Sequence, residues 1–187
     1  MIAPGIREKA ARIRLLLMDV DGVLTDGKLY NVPDGEGRMV ETKAFDSQDG
    51  IALQWLYRYG IATGLISGRV SPAAEERARQ CRMAYVYQGH LEKIPVFEEI
   101  LQRAGLRPEE VAYAGDDFTD VVVMRRAGLA IATANARPEV KRMAHMVTQA
   151  EGGRGAVREV AELLLQAQGH WPEILEKYGL QQGSPAR

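Results

Sequence analysis

The sequence predicts an α/β protein: a doubly wound parallel sheet, Rossmann-like, with a β-hairpin inserted after the first strand. Three observations predict it. Short apolar runs of strand length alternate with amphipathic segments of helix length along the chain. Several of those runs end in Asp, Ser or Gly, as buried parallel strands do where an open sheet binds ligands. The chain has 187 residues and is 46% hydrophobic, enough for one buried core.

The first strand is residues 15–19, where Leu15-Leu16-Leu17-Met18 runs into Asp19. An apolar run closed by carboxylates reads as a buried parallel strand. Residues 28–32 and 38–45 flank Pro33-Asp34-Gly35-Glu36-Gly37 and form the hairpin. Residues 50–59 carry Ile51, Leu53, Trp55 and Leu56 and read as a helix stopped by Gly60. Residues 61–66 form the second parallel strand, which ends in Ser67-Gly68-Arg69. Ser71-Pro72 then opens a helix that runs to about Cys81, with serine as N-cap and proline at the first helical position. A strand at 84–87 and a helix at 92–104 follow. The strand at 111–114 ends in Gly115-Asp116-Asp117. A helix at 119–127, a strand at 129–132, a helix at 137–144 and a last strand at 145–148 complete the alternation. Residues 155–168 form an apolar helix with Val157, Val160, Ala161 and Leu164 on one stripe. The chain reads as a single domain, residues 1–187, with its core at about 12–168 and a C-terminal tail at 169–187.

Composition removes several functions. A net charge of −1 argues against a nucleic-acid partner. The first apolar run is broken by Asp19 after four residues, so it is neither a membrane span nor a signal peptide. Cys81 is the only cysteine; no internal disulfide is possible, and the chain suits a reducing cytoplasm.

Three strand ends carry chemistry, and parallel strands bring all three to one edge of the sheet. They supply Asp19 and Asp21, then Ser67 and Gly68, then Asp116 and Asp117, with Asp120 one helical turn on. Lys93, near the start of its helix, reaches the same edge. Asp19 and Asp21 are two apart, so a regular strand would point both to one side. Two converging carboxylates repel unless a proton or cation lies between them. An oxygen-only ligand set selects a hard cation, Mg²⁺. Ser67, the Gly68 amide and Lys93 are donors of the kind that hold phosphoryl oxygens. Together they indicate phosphoryl transfer. Each group also has a plain role: a strand-to-helix turn for Ser67-Gly68, a solvated helix position for Lys93, charge at a helix N-terminus for Asp116 and Asp117. The plain roles would all have to coincide on one edge. His90, His145 and His170 do not cluster and are assigned no metal.

The order Asp19-x-Asp21-Gly22-x-Leu24-Thr25-Asp26, then Ile66-Ser67-Gly68-Arg69, then Lys93, then Gly115-Asp116-Asp117-x-x-Asp120 resembles the haloacid dehalogenase superfamily of phosphatases. The resemblance covers roughly residues 12–168. It implies Asp19 as nucleophile, Asp21 as general acid/base, Ser67 and Lys93 on the phosphate, and a metal held by Asp19, Asp116 and the main-chain carbonyl of Asp21. It also implies auxiliary acidic roles for Asp117 and Asp120. Neither gap between motifs is long enough for a cap domain, which is similar to the capless branch acting on phosphorylated sugar acids of eight or nine carbons. Further stretches match that branch: Lys43-Ala44-Phe45 before Asp49-Gly50, Tyr87-Gln88-Gly89, and residues 152–159 from Gly152-Gly153-Arg154-Gly155 to Glu159. Gln48, and His90-Leu91 after Gly89, depart from it.

Without a cap, the groups expected to read a sugar acid are Gly68, Arg69, Arg77, Lys43 and Arg154, arginine being suited to bidentate carboxylate binding. A site without a cap is open to water unless subunits cover it, so a homo-oligomer, a tetramer, is expected, with the exposed hairpin at 28–45 buried between subunits. Two other classes fit less well. A signalling receiver domain shares the acceptor Asp, Mg²⁺ and Lys but lacks a second Asp two residues on. A phosphatase-like oligomerisation module would have an incomplete catalytic set.

Overall fold

The computed structural model describes residues 4–180. Its centre is a six-stranded parallel sheet: β1 (Leu15–Met18), β4 (Ala62–Ile66), β5 (Tyr85–Tyr87), β6 (Val111–Gly115), β7 (Leu129–Ala132) and β8 (Met146–Val147), in the order β5-β4-β1-β6-β7-β8. β1 pairs in parallel with β4 and with β6, Leu15 opposite both Ala62 and Val111. The order reverses between β1 and β6, the switch point at which a doubly wound sheet opens a crevice. β2 (Tyr30–Pro33) and β3 (Met39–Thr42) form a separate antiparallel hairpin.

Helices cover both faces. Along β1 the side chains alternate, Leu16 and Met18 into one core, Leu15 and Leu17 into the other. The first core is closed by α1 (Pro4–Ala11), α2 (Ser47–Arg58), α3 (Pro72–Gln80), α7 (Ala156–Ala167) and α8 (Trp171–Lys177). The second is closed by α4 (Lys93–Ala104), α5 (Phe118–Met124) and α6 (Pro138–Met143).

Three elements depart from the sequence expectation. α1 packs through Ala10 and Ile6; a face that narrow, among Arg7, Glu8 and Lys9, leaves little periodicity to read. α8 occupies residues 171–177 of the expected tail, whose residues 181–187 lie outside the described residues. Its Ile174 is buried and Trp171 meets Trp55 edge-on at 5.9 Å, so residues 171–177 belong to the core. α2 begins three residues before the expected start because Asp46 accepts hydrogen bonds from the amides of Gln48 and Asp49, an N-cap the apolar pattern does not show.

Candidate active site

The strand ends converge as the alternation implies, but β1 does not continue through Asp21. It stops at Met18, and Val20–Leu24 form a π-turn closed by the Thr25 amide on the Val20 carbonyl at 3.0 Å. Asp21 and Gly22 lie outside helical geometry in that turn, Gly22 at φ +88°. The shared direction expected of Asp19 and Asp21 is therefore lost, because it required a regular strand. Asp19 points to Lys93; Asp21 points to Lys43 and Arg69.

Asp19 Oδ1 is 2.9 Å from Lys93 Nζ, and Lys93 is 2.7 Å from Asp120 Oδ1. Lys93 also donates to the Tyr113 hydroxyl at 3.2 Å, and Tyr113 donates to Asp120 Oδ1 at 2.8 Å. The second Asp120 oxygen accepts from the amides of Asp116 and Asp117. Both oxygens of Asp120 are thus occupied, one of them by Lys93. Asp117 caps α5 through the Phe118 amide at 2.7 Å. Burial alone would lower the Lys93 pKa, but Asp120 and Asp19 outweigh it and hold it above the ordinary value. Burial, with Asp120 beside it, pushes Asp19 up to about 6 despite Lys93.

Asp19, Asp116 and Asp120 each bring a carboxylate oxygen within 4.8 Å of the others. Asp120 is already satisfied, which leaves Asp19 and Asp116 to serve a cation. Asp116 Oδ1 is buried with no hydrogen-bond partner. Burial and then the charges of Asp120, Asp19 and Asp117 push Asp116 up to about 8. An orphaned oxygen among like charges is the environment a hard divalent cation relieves.

Ser67 ends β4. Its Oγ accepts the Arg69 amide at 3.2 Å, leaving its proton free to donate, and its carbonyl accepts the His90 amide. Arg69, exposed on the mouth, bonds Glu41 Oε2 at 2.5 Å. Lys43 is buried between Asp21 and Glu41, at 2.5 and 3.1 Å. Arg77 lies elsewhere: it donates to the Asp46 carbonyl at 2.6 Å and stacks on Phe45, bracing the start of α2. Arg154 is exposed near Glu151 and touches none of the aspartates above.

The glycine-rich segment before α7 packs its backbone against the Val20–Leu24 turn. A Cβ on Gly152 would stand 2.0 Å from the Gly22 carbonyl oxygen, and the Gly153 amide donates to Val23 at 3.1 Å. Asn135 joins the two segments, donating to the Gly22 carbonyl and accepting the Gly152 amide. Thr133 adds a second donor to Gly22. α7 has only Gly155 at its N-cap; the missing cap comes from Asp49 of α2, which accepts the Arg158 amide at 2.7 Å. Glu41, Thr133, Asn135 and Asp49 escape a reading by motif. They act through the tertiary structure, and only the position of Asp49 ahead of Gly50 marks one of them in the sequence.

An acceptor carboxylate on a buried lysine, a free buried oxygen opposite and a hydroxyl at the neighbouring strand end define a hydrolase site of the haloacid dehalogenase type. Residues 42–159 match the haloacid dehalogenase-like hydrolase family, and the chain belongs to that superfamily as an enzyme without a cap domain. It is 42% identical to the 3-deoxy-D-manno-octulosonate 8-phosphate phosphatase of Salmonella typhimurium over 92% of this chain and 89% of that one. The Yersinia pestis enzyme of the same name superposes with a TM-score of 0.85 at 41% identity, covering 90% of this chain and 89% of that one. The Moraxella catarrhalis enzyme, solved with magnesium, phosphate and the free sugar acid, superposes at 0.88 and 36% identity over 95% and 99% of the two chains.

Proposed function

We propose that this protein is a cytoplasmic, Mg²⁺-dependent phosphatase that hydrolyses 3-deoxy-D-manno-octulosonate 8-phosphate to the free sugar acid and phosphate, a step toward lipopolysaccharide precursors. The observation that carries the chemistry is the Asp19 carboxylate, 2.9 Å from buried Lys93 and beside the unpartnered Asp116 oxygen. The substrate follows from the relatives. Among the described residues no helix is long and apolar enough to cross a membrane.

Asp19 attacks phosphorus in line, the bond from phosphorus to the sugar oxygen breaks, and Asp21 gives that oxygen its proton. Asp21 then takes a proton from the water that attacks the aspartyl-phosphate, which frees phosphate and restores Asp19. Ser67, the Gly68 amide and Lys93 share the charge on the equatorial oxygens. A Mg²⁺ ion, held by Asp19, Asp116 and the Asp21 carbonyl, would neutralise phosphate charge against the approaching nucleophile.

Recognition of the sugar acid falls to Arg69, whose guanidinium is exposed at the mouth, and to Arg154, carried on the segment packed against the catalytic turn. Lys43 acts from behind Asp21, and Arg77 through α2. The test is phosphate release, with Mg²⁺, from a panel containing the eight- and nine-carbon sugar-acid phosphates and neutral sugar phosphates. A clear preference for the eight-carbon ester is expected; equal rates across the panel would reject the substrate assignment.

A further inference from the structure

Four charges of alternating sign ring the mouth of the site: Asp21, Lys43, Glu41 and Arg69. Lys43 Nζ is 2.5 Å from Asp21 Oδ1 and 3.1 Å from Glu41 Oε1. Arg69 Nη2 is 2.5 Å from Glu41 Oε2, while its Nε stays 3.9 Å from Asp21 Oδ2, beyond hydrogen-bond distance. Both cations could bond either carboxylate. Lys43 takes one oxygen of Asp21; Arg69 is drawn aside to Glu41. Among the described residues, Asp21 Oδ2 accepts no hydrogen bond.

We propose that Glu41 is a positioning residue that holds Arg69 off Asp21 and so keeps Oδ2 free for the departing sugar oxygen. The proposal rests on the reading of Asp21 as general acid. In the first half-reaction an Asp19 oxygen bonds phosphorus, the bond from phosphorus to the leaving oxygen breaks, and the Asp21 proton passes to that oxygen. A guanidinium bonded to Oδ2 would occupy the atom through which this proton passes. Charge-assisted bonds to a carboxylate outcompete bonds to a neutral amide. Without the Glu41 charge, Arg69 has Asp21 Oδ2 as its nearest remaining carboxylate and needs to move only about an ångström to bond it.

Leaving-group dependence tests this, with two esters that carry no carboxylate. Ribose 5-phosphate leaves as an alkoxide and needs the proton; p-nitrophenyl phosphate leaves as a stable phenolate and hardly needs it. The quantity is kcat/KM for the first divided by kcat/KM for the second, which reports the half-reaction that expels the alcohol. In Glu41→Gln this ratio should fall about tenfold, part of the roughly 10²-fold or more that a general acid supplies. In the double variant Glu41→Gln, Arg69→Ala it should recover, because the intruding guanidinium is gone. Asp21→Asn is the control and should lower the ratio at least as far. If Asp21→Asn lowers it and Glu41→Gln does not, the role given to Glu41 is wrong. Equal loss on both esters, or no recovery in the double variant, marks a structural role and also overturns the proposal. If Asp21→Asn leaves the ratio unchanged, it is the general-acid reading that fails.

Discussion

Gly22 and Asp116 compete for one space: a Cβ on Gly22 would stand 2.1 Å from Asp116 Oδ2. Gly22 also holds φ at +88°, a region costly to any residue with a Cβ. Gly22→Ala therefore has to move Asp116 or the turn that carries Asp21. A shift of that size at a reacting centre costs about 10² in rate. Steady-state kinetics on the purified variant should show that loss with the circular dichroism spectrum intact. A wild-type rate would mean that Asp116 is not used where it stands.

Metal dependence should appear in stability as well as in activity. In the metal-free chain Asp116 is raised to about 8 and Asp19 to about 6, burial being the main cause for both. The unfolded chain releases these protons near pH 4, so between there and the folded values the folded state binds more protons than the unfolded state. The contribution of these groups is fully present below about pH 4 and is lost as pH rises through about 6 and about 8. A cation bound at Asp19 and Asp116 replaces the protons and cancels the loss. Thermal melts should show a Tm gain from Mg²⁺ that is larger at pH 8 than at pH 5 and absent in Asp116→Asn. A gain independent of pH and unaffected by Asp116→Asn would place the metal elsewhere.

The hairpin presents Leu29, Val32, Met39 and Val40 to solvent, Met39 at 64% exposure. Val32 faces Val40 on one side of the ribbon and Met39 lies on the other, so both faces expose apolar side chains, and a two-stranded ribbon is marginal by itself. The expectation remains a homotetramer joined through this element. Sedimentation velocity at micromolar concentration should show a tetramer for the wild type and smaller species for Val32→Glu with Val40→Glu. A monomeric, fully active wild type would remove the hairpin from the assembly.

Substrate selection can be separated from chemistry at Arg154. Arg154→Ala should raise KM for the sugar-acid phosphate several-fold more than for p-nitrophenyl phosphate, since only the former offers a carboxylate to the guanidinium. Equal changes on both esters would assign Arg154 to the fold. The resemblance also implies that the tail beyond Gly169 gates the substrate. Truncation after Leu180, which removes only residues outside the described ones, should raise KM for the sugar-acid phosphate and leave p-nitrophenyl phosphate unchanged. A cut after Gln168 would remove α8 with buried Ile174 and strip Trp55 of its Trp171 contact, so it would report on stability alone.

Much of this architecture is visible in the chain because strand period, strand-end chemistry and helix caps agree. Leu15–Met18 is apolar on both faces because each face meets its own core, and Asp19, Ser67 and Asp116 follow the three strands nearest the switch point. The π-turn is not visible: the residues after Met18 suit a strand or a turn equally, and closure depends on the Thr25 amide meeting Val20. The capping role of Asp49, which the sequence marks only by its place ahead of Gly50, and the role of Asn135 are not visible for a related reason. Each residue satisfies backbone groups more than a dozen residues away, Arg158 in one case and both Gly22 and Gly152 in the other, and no local pattern encodes that. Arg77 and Lys43 show the converse, since cations expected to meet the substrate are held by groups of the protein itself, Arg77 by the Asp46 carbonyl and Lys43 by the carboxylates of Asp21 and Glu41.

The central claim is that Asp19 takes the phosphoryl group of 3-deoxy-D-manno-octulosonate 8-phosphate. The most direct measurement is release of inorganic phosphate from that ester by wild-type protein and by Asp19→Asn, with Mg²⁺ and after chelation, mass spectrometry excluding reversion of the amide to Asp. The expected result is catalytic release by the wild type with Mg²⁺, none after chelation until Mg²⁺ is restored, and none at all from Asp19→Asn. Undiminished release by pure Asp19→Asn, or no release by the wild type with Mg²⁺ present, would contradict it.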